Sequence, residues 1–295
     1  MRPPRRNEPN FRPAPRQGGA PSATGSYDAA KGWDHVSAWY DGLVGEGQHD
    51  HFSETILPGL LRMLPQPLPK RVFDLACGQG YVSEALAQRG CEVVGLDAAA
   101  GLISAAESRL RTRGEAGRRS RFVTGDARAL ESVLTTAKVA GKFDAALCIM
   151  AVMNIDPIDG MLAQLAARIE AGGTLVLVML HPAFRAPAKS GWMWRDSIAQ
   201  GSVQLRTIES YLTPFGSEIV MNPGQVARGA KPVVTKTYHR PLGFYVAALA
   251  RAGFAVDGLE EWASNRRSTS GPRSTEENRS RAEIPLFLAV RARRL

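Results

Sequence analysis

The sequence predicts an α/β fold built on a mostly parallel, seven-stranded sheet with helices on both faces. Three observations predict it. Short runs rich in Val, Leu and Ile alternate with helical stretches between Arg71 and Leu180, as in strands buried on both faces. An apolar run breaks into a glycine turn at Val72–Ser83 (V-F-D-L-A-C-G-Q-G-Y-V-S), and the next run ends on an acid at Asp97. The last apolar run, Ile284–Ala292, is reached without a crossover helix, which favours an antiparallel neighbour.

Residues 1–26 are rich in Pro, Arg, Gly and Ser, a composition that buries too little apolar area to fold, so a disordered basic tail is expected. The folded domain is expected over 27–295. Trp33, Val36, Trp39, Tyr40 and Leu43 recur at helical spacing, as do Phe52, Ile56, Leu60, Leu61 and Leu64, and Pro65–Pro69 ends the second helix. Strand Arg71–Ala76 leads to helix Tyr81–Arg89, capped by Gly90. Strand Glu92–Leu96, helix Gly101–Arg111 and strand Arg121–Thr124 follow. A helix near Leu130–Val139 precedes strand Phe143–Met150, and helix Pro157–Ile169 ends at Gly172-Gly173 before strand Thr174–Leu180. Residues 182–237 show no long periodic element, and so long an insertion reads as a lid or substrate-binding segment. Helix Pro241–Ala252, strand Phe254–Trp262, a polar loop over 264–281 and the final strand complete the chain.

The glycine turn carries the chemistry. Gly78 permits the sharp turn off the strand, and Gly80 permits close approach to a ligand. Asp97 lies 17 positions after Gly80, the length of one helix and a returning strand, where its carboxylate can accept from ribose hydroxyls. A third glycine of the dinucleotide fingerprint would stand at Ser83; its absence, with Asp74 inside the strand, argues against NAD.

The net charge is +9, but five Arg against one Glu fall in 1–26 and eight Arg against three Glu in 264–295, leaving 24 basic and 24 acidic residues between. The excess therefore lies in the termini and reads first as solvation rather than as a phosphate-binding face. Cys77, Cys91 and Cys148 lie in strands or the glycine turn without C-x-x-C spacing, so a reducing, cytoplasmic setting and no metal are expected. No apolar run approaches the length of a membrane span.

At the Val72–Ser83 stretch the chain resembles the class I S-adenosylmethionine-dependent methyltransferases, whose first motif is apolar-x-D-x-G/C-C/S-G-x-G. H-P-A-F at His181–Phe184, H-R-P-L at His239–Leu242 and E-I-P-L-F-L at Glu283–Leu288 resemble a small-molecule group within that family. The resemblance covers roughly residues 30 to 295. It implies a Rossmann-like sheet with the last strand antiparallel beside the fifth, and S-adenosyl-L-methionine as cofactor. Carried onto this sequence, it implies cofactor contacts at Asp74, Ala76, Gly78, Gly80, Asp97, Ala98, Asp126, Ala127 and Met150, with Tyr40 reaching over from an N-terminal helix. Asp126 can accept from an adenine amine or can cap the next helix. Met150–Asn154 is implied to line the methionine half.

Methyl transfer is an in-line displacement in which the protein supplies alignment and, in some cases, a base. His181, which ends the fifth strand, and His239, before the helix after the insertion, are the candidate bases; each can instead shape its turn. Tyr238 and Arg240 are candidates to hold an acidic acceptor group. Trp192, Trp194, Tyr211 and Phe215 in the lid suggest an apolar or planar small-molecule acceptor. The alternatives are an RNA or other nucleic-acid methyltransferase, favoured by the basic ends, and a cofactor-binding protein without activity. Against the first, the fourth strand lacks an Asn/Asp-Pro-Pro-aromatic element and no Cys follows the fourth or fifth strand.

Overall fold

A computed structural model describes residues 51–197, 201–220 and 234–295, with the isolated positions 226, 228, 229 and 232. The expected N-terminal tail, Trp33 and Tyr40 lie outside the described residues.

Eleven strands are found among the described residues: β1 (Arg71–Leu75), β2 (Glu92–Asp97), β3 (Ser120–Thr124), β4 (Phe143–Ile149), β5 (Ile169–Leu180), β6 (Ser190–Ser197), β7 (Gly201–Ile208), β8 (Phe215–Val220), β9 (Val234–His239), β10 (Phe254–Trp262) and β11 (Phe287–Arg294). Seven make one sheet in the order β10-β11-β5-β4-β1-β2-β3. β3, β2, β1, β4 and β5 are parallel to one another, whereas β11 runs antiparallel between β5 and β10. The Rossmann-like arrangement with an inserted antiparallel last strand is the one expected from the sequence.

The helices are α1 (Leu57–Met63), which continues a π-helical turn at Phe52–Ile56, α2 (Tyr81–Ala87), α3 (Ala100–Arg111), α4 (Glu115–Arg118), α5 (Leu130–Thr136), α6 (Asp159–Arg168), α7 (Leu242–Arg251) and α8 (Ser274–Glu283). Alternation of side chains along each strand divides the core into two layers. Phe73, Leu75, Ala146 and Cys148 face one side with α5, α6 and α7. Val72, Val93, Leu147 and Val176 face the other with α1 and α2. The Phe73 and Phe143 rings, both fully buried, meet at 4.9 Å between centroids, and burial of each contributes about 1.5–3 kcal/mol.

Three expectations are corrected. The 182–237 insertion is not aperiodic: β6–β7 and β8–β9 form two antiparallel ribbons, and along β8 half-buried Phe215, Ser217 and Ile219 alternate with exposed neighbours. The 264–281 loop contains α8, whose sequence S-T-E-E-N-R-S-R-A-E buries only Ser280 and so lacks an apolar stripe. β5 begins at Ile169 and runs through Gly172 (φ +76°), with a register shift against β4 between Phe143 and Ala145; the glycine pair makes a bulge rather than a helix stop.

The ribbons are tied to the body. The Gln204 backbone N–H in β7 donates to Glu276 Oε1 of α8 at 2.8 Å, and Thr237 Oγ1 in β9 donates to the Met153 carbonyl at 3.4 Å. No helix among the described residues is long and apolar enough to cross a membrane.

Candidate functional site

The carboxyl ends of β1, β2 and β4 converge on the glycine turn. Ala76 (φ +56°), Gly78 (φ +53°) and Gly80 (φ +75°) are all left-handed. The turn is fastened to β2: the Cys77 N–H donates to the Leu96 carbonyl at 3.0 Å, and the Gly78 N–H donates to Asp97 Oδ2 at 2.9 Å. Asp97 Oδ1 accepts the Ala99 N–H at 2.9 Å. A carboxylate at this strand tip is an acceptor of the kind that ribose hydroxyls bind.

The two glycines divide the work differently from the sequence reading. A Cβ on Gly80 would meet Ala106 Cβ at 3.0 Å and Phe122 Cζ at 3.1 Å, so this position is set by packing of α2 against its neighbours. A Cβ on Gly78 would meet nothing within 4 Å, and it is Gly78 that lines the site.

Two adjoining cavities open at this turn and share Ala76, Gly78, Ile149 and Met150. The first is also lined by Leu96, Asp97, Ala98, Leu102, Asp126 and Ala127, and by Tyr238 and Asp156 among others. The second is lined by Asp74, His51, Phe52, Tyr81, Phe287 and Arg266 among others. It is strongly aromatic. The Phe52 and Tyr81 rings lie 5.6 Å apart, His51 stands edge-on to Phe287 at 5.4 Å, and the Arg109 guanidinium covers Tyr81 at 3.7 Å.

Asp74 is 2% exposed. Burial pushes its carboxyl up to about 6, opposed by the hydrogen bond from Ser83 and reinforced by the charge of Asp97. Burial likewise raises the Cys77 and Cys148 thiols, so neither is poised as a thiolate. Among the described residues no cluster of His, Cys, Asp and Glu is arranged to hold a metal.

Asp126 stands at the first cavity and also caps the turn Ala127–Ala129 through the Arg128 N–H at 2.8 Å. The Arg128 guanidinium grips both of its oxygens, at 2.6–3.0 Å, and holds the carboxyl below its usual range. Both readings of this residue in the sequence are therefore compatible with its position.

Of the remaining candidates, Gly80, His181 and His239 line neither cavity. His181 is 4% exposed; its Nε2–H donates to Glu261 Oε1 at 2.7 Å and its Nδ1 accepts the Ala183 N–H at 3.2 Å. Burial lowers its pKa, and the Glu261 hydrogen bond opposes this. His239 Nε2–H donates to the Tyr211 carbonyl at 2.7 Å, and its ring packs between Tyr211 and Phe215. β9 alternation turns His239 inward and Tyr238 toward the first cavity. Arg240 pairs with Asp156 at 2.6 Å, leaving it committed. The lid aromatics do not line the cavities either: Trp192 stacks with Arg185 and Arg206, and Trp194 with Arg273.

Sequence reasoning missed Arg266, the aromatic wall of the second cavity and the left-handed backbone of Met150 (φ +58°). Strained non-glycine backbone leaves no mark in residue type, although such strain gathers at functional sites.

Residues 72–173 match the family described as "Methyltransferase domain". Over 123 residues the chain is 32% identical to the ubiquinone biosynthesis O-methyltransferase of Xanthomonas axonopodis pv. citri, covering 42% of this chain and 47% of that protein. Over 145 residues it is 28% identical to the ribosomal RNA small subunit methyltransferase C of Chromohalobacter salexigens, covering 47% and 40% respectively. The chain thus spans less than half the length of these curated relatives. An S-adenosylmethionine-dependent methyltransferase from Mesorhizobium loti superposes with a TM-score of 0.57 at 23% identity, covering 80% of this chain and 96% of that one, a likeness of fold. Residues 72–173 are thus similar to a methyltransferase domain, and the seven-stranded sheet that contains them shares its fold with a solved S-adenosylmethionine-dependent methyltransferase.

Proposed function

We propose that the protein transfers a methyl group from S-adenosyl-L-methionine to a small, planar or apolar acceptor. The observation that carries this reading is the pair of adjoining cavities sharing Ala76, Gly78, Ile149 and Met150. The first suits a nucleoside: Asp97 offers carboxylate lone pairs to ribose hydroxyls, Leu102 and Ala127 offer apolar walls, and Asp126 offers an acceptor for an exocyclic amine. The second, with Tyr81, Phe52 and Phe287, suits an aromatic acceptor. The bound cofactor would supply an electrophilic methyl group. This chain's residues would hold, align and dehydrate the reactants.

A small acceptor is favoured over nucleic acid by the fate of the basic C-terminal residues. Arg279 pairs with Glu276, Arg281 with Glu277, and Arg291 and Arg293 share Asp257, so these four of the eight arginines in 264–295 are engaged with acids of the chain. The name of the O-methyltransferase relative supports the same class of acceptor; that of the ribosomal RNA relative supports the other. His181 and His239 act in this reading as positioning residues, each ring nitrogen engagement fixing a turn at the base of a ribbon.

Calorimetry tests the cofactor half. S-adenosylmethionine should bind stoichiometrically, and Asp97→Ala should weaken it about 100-fold, the loss of two hydrogen bonds to a charged group. Turnover should then appear with a phenolic or amine panel and not with RNA. Unchanged affinity in Asp97→Ala would sink the site; methylation of RNA alone would sink the acceptor class.

A further inference from the structure

Two guanidinium groups stand against one indole, Trp192, at the base of the β6–β7 ribbon. Arg185 lies five residues after Leu180, which lines the second cavity, in a tight turn whose Arg185 N–H donates to the His181 carbonyl at 2.8 Å. Arg206 projects from β7. Both stand over the Trp192 ring, Arg185 at 5.2 Å and Arg206 at 5.1 Å from its centroid.

Arg206 is fixed: its Nε–H donates to the Phe184 carbonyl at 2.6 Å and its Nη2–H to Ser190 Oγ at 2.8 Å. Arg185 Nε is buried without a hydrogen-bond partner. Neither arginine pairs with a carboxylate among the described residues. Burial, together with the charge of Arg206, pulls Arg185 down to about 10, and burial alone lowers Arg206.

Arg240, Arg168, Arg251, Arg291 and Arg293 each pair with an acid, and Arg294, without one among the described residues, donates its Nε–H and Nη1–H to carbonyls. Two half-buried cations against one indole, one of them with an unsatisfied N–H, are costly unless an anion compensates them. Each guanidinium is a planar fork of N–H donors, the shape that matches a carboxylate or a phosphate oxygen set.

We infer that Arg185 and Arg206, braced on Trp192, form a recognition site for an anionic group, carboxylate or phosphate, carried by the methyl acceptor. This rests on the small-acceptor reading above and narrows it to acidic substrates. The aromatic body would occupy the second cavity while the charged group reaches the base of the ribbon.

The test labels the protein with 5-fluorotryptophan and follows the Trp192 fluorine resonance, assigned through Trp192→Phe. Inorganic phosphate and acetate are titrated separately at constant ionic strength, with chloride as the control. The resonance should shift saturably with at least one of the two anions, and Arg185→Gln should weaken that response about tenfold or more. Saturation by phosphate alone assigns a phosphoryl group; saturation by acetate assigns a carboxylate. A response that never saturates, or one indifferent to Arg185→Gln in a variant with wild-type thermal stability, overturns the inference. Cofactor binding, measured on the same sample, separates the two failures: cofactor binding without an anion response refutes the anion site alone, whereas an anion response without cofactor binding refutes the methyltransferase reading.

Discussion

Ser83 Oγ donates a hydrogen bond to Asp74 Oδ2 at 2.6 Å, both groups being almost fully buried. The residue that stands where a dinucleotide fold would place its third glycine is thus the anchor of the acid that replaces it in importance. Asp74 lies on β1 and Ser83 on α2, so the bond ties the strand to the helix across the glycine turn. A glycine at this position would leave the carboxylate without its hydroxyl donor.

The first prediction follows from the raised Asp74 pKa. In the folded protein the group titrates near 6 rather than 3.8, so the folded state holds the extra proton between those values. That stabilisation is fully present below about 4 and is lost as pH rises through 6. A shift of about two units corresponds to something on the order of 3 kcal/mol. Asp74→Asn, which keeps an oxygen for the Ser83 hydroxyl, should therefore flatten the fall in urea-unfolding stability between pH 4 and 7. A variant with the same pH slope as the parent protein would show that Asp74 is not the group responsible.

Gly78→Ala and Gly80→Ala should separate binding from folding. Both positions have positive φ, but only Gly80 also faces Ala106 and Phe122 at 3.0–3.1 Å. Gly80→Ala should cost about 1–3 kcal/mol of stability from strain and overpacking. Gly78→Ala should cost nearer 1 kcal/mol and abolish cofactor binding in calorimetry, because its methyl enters the shared floor of both cavities. Equal loss of stability with retained binding in both variants would refute this division.

The sheet was legible from the sequence because its strands obey local rules: Val- and Leu-rich runs, an acid at Asp97, glycine at each sharp turn. The lining of the first cavity was legible for the same reason, since Gly78, Asp97 and Asp126 sit at strand ends whose order is fixed. The second cavity was not. It is assembled from Tyr81, Arg266 and Phe287, which are far apart in sequence and individually ordinary. The ribbons were missed because their strands are half-buried, and α8 because its polar surface has no period to read. His181 and His239 attracted a catalytic reading by residue type and position near a strand end. In the fold both nitrogens of the His181 ring, and Nε2 of His239, are engaged in hydrogen bonds.

If the histidines position rather than exchange protons, their variants should change acceptor KM and leave kcat within a few-fold. His181→Gln should also lower stability by about 1–3 kcal/mol by disturbing the Glu261 and Ala183 contacts. Burial lowers the folded pKa of His181, so its contribution is present above the unfolded value near 6.5 and lost as pH falls toward the folded one; the variant should lose that acid-side slope. A kcat drop of 100-fold or more in His239→Phe, together with loss of an ionisation in the pH–rate profile, would instead make His239 a base.

The last prediction concerns Asp126, which is both cap and cavity wall. Its carboxylate already accepts from the Arg128 N–H and guanidinium, and both side chains are about half exposed, at 44% and 46%, so the ion pair itself contributes little to stability. Asp126→Ala should cost about 1 kcal/mol through loss of the cap and weaken S-adenosylmethionine about tenfold through loss of an acceptor at the nucleoside cavity. Arg128→Ala keeps the backbone cap and frees carboxylate lone pairs toward the cavity, so its affinity should be unchanged or tighter. Calorimetry on the two variants decides the matter: parallel losses would mean that Asp126 acts only by holding its turn through Arg128, and that the nucleoside is recognised elsewhere in the cavity.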